Sequence, residues 1–164
     1  MNCVRHGPQR GFTLMELLVV MIVIAVIAAT TGIQLTSGRS SVVADEAKRL
    51  ALLIQSAQEQ SVLEGRFFSV KFDSGGYRFL ALNDKGELEE LVNDPLFHER
   101  SFPEGIVLGD VLINEKRQSK AGEGILLTPV GTMPPFSIDL EYKGNSWRVE
   151  SLPDGAVIAL TTDA

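Results

Sequence analysis

Apolar side chains occupy almost every position from Phe12 to Ile33, and a single carboxylate, Glu16, interrupts them near the start. A helix of that length rises about 33 Å, enough to cross a bilayer core. The pattern predicts a membrane-spanning helix over residues 12–33. Thr30-Thr31-Gly32 and Ser37-Gly38 follow as poor helix formers and mark a soft joint. From Ser41 to Glu64 the period of a helix returns: Val43, Ala47, Leu50, Ile54, Ala57 and Ser61 fall four and three apart and draw one apolar stripe. Asp45 and Arg49 are expected to form an i,i+4 pair on the other side. The stripe is too short, and too rich in small residues, for a convincing coiled-coil seam, so it is expected to pack on the chain's own sheet. Gly65 supplies the helix stop. Residues 34–65 are thus an amphipathic continuation of the helix.

Beyond Gly65 the texture changes to short β runs punctuated by turns. Phe67–Phe72 and Tyr77–Leu82 flank Asp73-Ser74-Gly75-Gly76 and predict a hairpin. Asn83–Gly86 leads into a strand over Leu88–Val92, and Gly105 opens another that runs through about Ile113. Asn114–Gly124 is polar and glycine-containing, an expected mobile loop. Strands over Gly124–Thr128, Phe136–Tyr142, Trp147–Ser151 and Ala156–Thr161 complete the chain. The expected fold class is α+β: a long N-terminal helix, transmembrane then amphipathic, packed on an antiparallel β-sheet sandwich over residues 66–164.

At 164 residues the chain has room for one domain beside a membrane segment. A net charge of −6 with no basic stripe argues against nucleic acid. The only clustered cations, Lys116, Arg117 and Lys120, belong to a solvated loop more naturally than to a phosphate site. Cys3 is the single cysteine, so nothing after the apolar run can form a disulfide. Arg5 and Arg10 precede that run, which predicts a cytoplasmic N-terminus with the remainder outside; in a bacterial setting that remainder would be periplasmic.

Catalytic chemistry finds little support. His98 is the only histidine outside the first eleven residues, so a two-histidine metal site cannot be built, and a lone histidine between Phe97 and Glu99 reads as a surface or structural residue. Asp73-Ser74-Gly75 and Asn83-Asp84-Lys85-Gly86 lack the ligand density of a calcium loop. Glu89-Glu90 reads as a solvated strand end, and Trp147 as a core residue. Met133-Pro134-Pro135-Phe136 is either a rigid apolar face for a partner or a tight connection. No catalytic, cofactor-binding or metal-binding residue is expected, and the chain is not expected to be an enzyme.

Three readings of the N-terminus compete. A secretory signal cut after Val26-Ile27-Ala28 conflicts with the length of the apolar run and with Glu16. A simple anchor explains the length but not a carboxylate that costs roughly 2.5–3.5 kcal/mol in lipid. Cleavage between Gly11 and Phe12 explains both, because it frees an amine on Phe12 about one helical turn from Glu16. Such an amine and carboxylate neutralise one another best across two subunits.

Gly11-Phe12-Thr13-Leu14-Met15-Glu16-Leu17-Leu18-Val19-Val20 resembles the class III signal of type IV pilins and type II secretion pseudopilins. The resemblance implies removal of leader residues 1–11 by a prepilin peptidase, N-methylation of Phe12 by the same enzyme, and pairing of Glu16 with a neighbouring subunit in a helical filament. Further on, Ala47-Lys48-Arg49-Leu50, Glu64-Gly65-Arg66, Gly76–Leu80, Leu126–Gly131 and Pro135-Phe136 resemble the minor pseudopilin H family of type II secretion. Related minor type IV pilins, the alternative, are similar as well, although several of them use disulfides. The resemblance implies a structural subunit without cofactors, at or near the tip of a pseudopilus that supports export of folded proteins across the outer membrane. It also implies a single-pass inner-membrane protein with a periplasmic domain. Its partners would be other major and minor pseudopilins, the prepilin peptidase, the inner-membrane assembly platform and the lipid bilayer, with no nucleic acid.

Overall fold

The computed structural model describes residues 14–31, 40–118 and 124–162. The chain divides into two compact units, Met1–Gly38 and Arg39–Ala164. In the first, α1 (Leu14–Thr31) is an 18-residue helix with Glu16 in its first turn. Among the described residues no helix is long and apolar enough to cross a membrane. The 18 residues of α1 rise about 27 Å, just short of a hydrocarbon core of about 30 Å. Residues 12–13 and 32–33, which complete the predicted span, lie outside the described residues, as does most of the predicted joint.

The second unit is built on α2 (Ser40–Glu64). The predicted stripe is its buried face: Val43, Ala47, Leu50, Ile54, Ala57 and Ser61 are all 0 % exposed. The face is wider than the stripe and takes in Glu46, Ala51, Leu53 and Gln58, whereas Leu52 and Leu63 point outward. The expected Asp45–Arg49 pair is not formed. Arg49 bonds Glu46 instead, because Asp45 lies on the exposed side while the neighbouring carboxylate turns inward. Gly65 ends the helix at φ +67°, and the Arg66 N–H donates to the Ser61 carbonyl at 3.2 Å, the six-to-one bond of a Schellman stop.

Among the described residues ten strands form two antiparallel sheets. The first has the order β3-β2-β1-β7, with β4 also on β2; its strands are β1 (Phe68–Asp73), β2 (Gly76–Leu82), β3 (Leu88–Glu90), β4 (Arg100–Ser101) and β7 (Ile125–Leu127). The second has the order β10-β9-β8-β5-β6, from β5 (Val107–Ile113), β6 (Lys116–Arg117), β8 (Phe136–Tyr142), β9 (Asn145–Ser151) and β10 (Val157–Thr162). Gly76 starts β2 where no other residue fits, since a Cβ there would sit 2.0 Å from the Arg100 carbonyl oxygen of β4.

The expected loop over Asn114–Gly124 needs correcting at its start. Asn114 and Glu115 both take positive φ, 52° and 64°, which makes a tight hairpin and pairs Lys116 with Ile113 and Arg117 with Leu112. Both sheets and α2 feed one core. Phe68, Val70, Phe79 and Leu127 come from the first sheet, Leu108, Ile138, Leu140 and Val149 from the second, and Leu50 and Ile54 from the helix. α2 touches β8, β9 and β10 on one side and β1 and β7 on the other.

Candidate assembly site

Glu16 is the only charged residue of α1. Its place in the first turn suits a carboxylate, since the unpaired amides there carry the positive end of the helix dipole. Around it Leu14, Met15 and every residue from Leu17 to Ile24 are exposed. A helix that is apolar on all sides is stable only when lipid or other helices cover it. Gly11 and Phe12, the predicted cleavage and methylation positions, lie outside the described residues.

In the second unit, polar side chains fix how α2 sits on the sheets. Gln55 Oε1 accepts the Val157 N–H of β10 at 3.1 Å. Gln58 Nε2 donates to the Thr128 carbonyl at 2.9 Å, just past β7. The Ser61 hydroxyl donates to the Arg66 carbonyl at 2.7 Å and lies 3.3 Å from that of Leu127. The helix therefore closes the ends of two edge strands with hydrogen bonds that its apolar stripe cannot provide.

Nearer the start of α2, Glu46 is 2 % exposed and Tyr77 is 1 % exposed. The Tyr77 hydroxyl donates to Glu46 Oε1 at 3.1 Å, and Arg49 bonds Oε2. Burial, and then the negative charge of Glu46, push the Tyr77 phenol well above its ordinary value of 10.0. The folded state thus holds that proton to higher pH than the unfolded chain. Its contribution to stability is complete below about pH 10 and is lost as pH rises further. Glu46→Ala orphans the buried hydroxyl and is expected to cost about 1–3 kcal/mol. Urea midpoints at neutral pH and above pH 10 check both effects; the fall at high pH should be smaller in Tyr77→Phe.

The other residues singled out in the sequence are dispersed. His98 is half-buried, its Nδ1 3.2 Å from the Asp94 carbonyl. Asp73 accepts the Gly75 N–H through one oxygen and faces Arg78 at 3.6 Å with the other, while Asn83 accepts the amides of Lys85 and Glu87, which is ordinary turn chemistry. Arg117 bonds Asp110, and Lys120 lies outside the described residues. Trp147 is half-buried with the Lys48 ammonium 5.5 Å from its ring centre. Among the described residues no group of His, Cys, Asp and Glu converges as metal ligands would.

Sequence comparison agrees with this division into an N-terminal helix and a globular unit. The prokaryotic N-terminal methylation motif matches residues 7–32, and the family described as type II transport protein GspH matches residues 46–155. The type II secretion system protein H of Pseudomonas aeruginosa is 29 % identical, over 94 % of this chain and 91 % of that protein. Its counterpart from Aeromonas hydrophila is 26 % identical, over 88 % and 87 %. The solved minor pseudopilin EpsH from the type 2 secretion system of Vibrio cholerae has the same fold, with a TM-score of 0.61 at 21 % identity, over 73 % of this chain and 97 % of that one. With a family match that extends over more than half of its length, the chain belongs to the type II transport protein GspH family.

Proposed function

We propose that this protein is a structural minor pseudopilin that assembles at or near the tip of the type II secretion pseudopilus and supports export of folded proteins across the outer membrane. The observation that carries the reading is Glu16, one carboxylate in the first turn of a helix whose described side chains are otherwise apolar and exposed. A globular unit with the EpsH fold follows it in the chain. Residues 12–33 span the inner membrane, with Arg5 and Arg10 holding the N-terminus in the cytoplasm until cleavage. The globular unit is periplasmic.

The prepilin peptidase removes residues 1–11 between Gly11 and Phe12 and methylates Phe12. Glu16 then pairs with the N-terminal amine of a neighbouring subunit, which turns a costly charge in lipid into a contact that favours assembly. Other major and minor pseudopilins and the inner-membrane assembly platform are its partners. As a filament subunit it does no catalysis.

N-terminal sequencing of the mature protein tests the processing. A methylated Phe12 at the start supports it, and a start at Ala29 overturns it. Gly11→Trp is expected to block cleavage and leave a mass higher by the eleven leader residues. A deletion strain separates the secretion role from that of a minor type IV pilin. If exoproteins still leave the cell while pili vanish, the secretory reading is wrong.

A further inference from the structure

The first sheet ends at β3, and among the described residues no strand lies beyond it. All three β3 residues are exposed. Two hydrogen bonds fix which backbone groups face the open edge: the Asn83 N–H donates to the Glu87 carbonyl, and the Leu91 N–H donates to the Phe79 carbonyl. Hydrogen-bonded pairs alternate along an antiparallel ladder. Glu89 therefore turns its backbone toward β2, while Leu88 and Glu90 turn theirs outward. Each offers one N–H and one C=O, spaced to receive another strand.

The charge around this edge indicates what that strand carries. From Asp84 to Glu99 the chain holds six carboxylates and a single lysine. Glu90 pairs with Arg78 at 3.0 Å. Among the described residues Asp84, Glu87, Glu89 and Glu99 make no ion pair. Large apolar side chains stand open among them: Leu88 is 41 % exposed, Val92 68 % and Leu96 43 %. A cavity of about 270 Å³ opens at the end of the strand, lined by Phe79, Leu91, Val92, His98, Glu99 and the Glu90–Arg78 pair.

Like-charge repulsion keeps a second copy of β3 from pairing here, a common protection for an edge strand. Repulsion gives no reason for the exposed aliphatics beside the acids. Both features suit an edge that rejects its own kind and accepts the opposite charge. We propose that the β3 edge receives an extended segment of a partner protein, with lysine or arginine alternating with apolar residues, added to the first sheet as a further strand. This goes beyond the secretory role, and its test needs no secretion readout.

The probe is a capped peptide of alternating lysine and valine, titrated into the full-length chain in detergent micelles. Hydrogen exchange should slow at the Leu88 and Glu90 amides. Combined Glu87→Lys and Glu89→Lys substitutions should weaken binding about tenfold, and salt at about 0.5 M should act the same way. Leu88→Pro removes an outward N–H without breaking the ladder to β2, so it should abolish binding. Core amide protection verifies that each variant is folded. If Leu88→Pro unfolds the domain, exchange at Leu88 and Glu90 in the charge-reversed protein decides. Absence of binding, equal binding of a glutamate–valine peptide, or protection confined to other residues overturns the proposal.

Discussion

Glu16→Ala is expected to leave the protein in the inner membrane at normal abundance while lowering its share of assembled pseudopili roughly tenfold or more. The two halves of that result have opposite physical origins. A carboxylate within a spanning helix costs roughly 2.5–3.5 kcal/mol, so its removal makes insertion easier. Poor insertion therefore cannot explain a loss of filament subunits. In the proposed pairing, what alanine removes is the attraction between Glu16 and a cationic group of another subunit, which is strong in a low-dielectric surrounding. Glu16→Gln keeps the side chain's length and hydrogen bonding but not its charge, and it should behave like the alanine variant. Quantitative detection of the variant in membranes and in sheared filaments checks both halves. Normal incorporation of either variant removes the pairing argument.

Much of the globular unit was legible because its rules are local. The period of four and three placed Val43 through Ser61 on one face, and all six of those side chains are buried. The expected strands over Phe136–Tyr142 and Trp147–Ser151 are β8 and most of β9, and Lys143 and Gly144 between them take positive φ. What escaped was either unusual or long-range. Glu46 lies three residues after Val43 and four before Leu50, so the same period puts it on the buried face. Its charge made the exposed Asp45 seem the natural partner for Arg49. Only the fold shows that Tyr77, 31 positions along the chain, supplies the hydrogen bond that lets a carboxylate be buried. The β5–β6 hairpin was missed because Asn114-Glu115 stands where Asn-Gly is the usual signal. β4 is two residues long, too short for any alternation to show. The roles of Gln55 and Gln58 depend on strand ends 102 and 70 residues away. At the assembly site the balance is reversed: Gly11, Phe12 and Glu16 stand out in the sequence, while the structure describes only Glu16 among them.

Ile54→Ala and Leu52→Ala, two positions apart on α2, should differ sharply in their effect on the globular unit. Ile54 is 0 % exposed and belongs to the core shared by both sheets, whereas Leu52 is 68 % exposed. Truncating Ile54 removes buried methyl groups and leaves a cavity that its neighbours fill only in part, at a cost of about 2–5 kcal/mol. Truncating Leu52 removes surface that was already wet, and its effect should stay within about 0.5 kcal/mol. Trp147, the only tryptophan, packs beside Lys48 of the same helix and so reports whether α2 remains docked. Urea unfolding of the full-length protein, followed by that fluorescence, should show a lower midpoint for Ile54→Ala with an unchanged slope. A comparable loss for Leu52→Ala would mean that α2 packs through a different face. The pair also separates two routes to a secretion defect. Ile54→Ala should act through abundance, because a marginal domain that loses several kcal/mol is cleared by cellular proteases. A secretion defect in Leu52→Ala at normal abundance and stability would instead identify the exposed side of α2 as a contact within the filament.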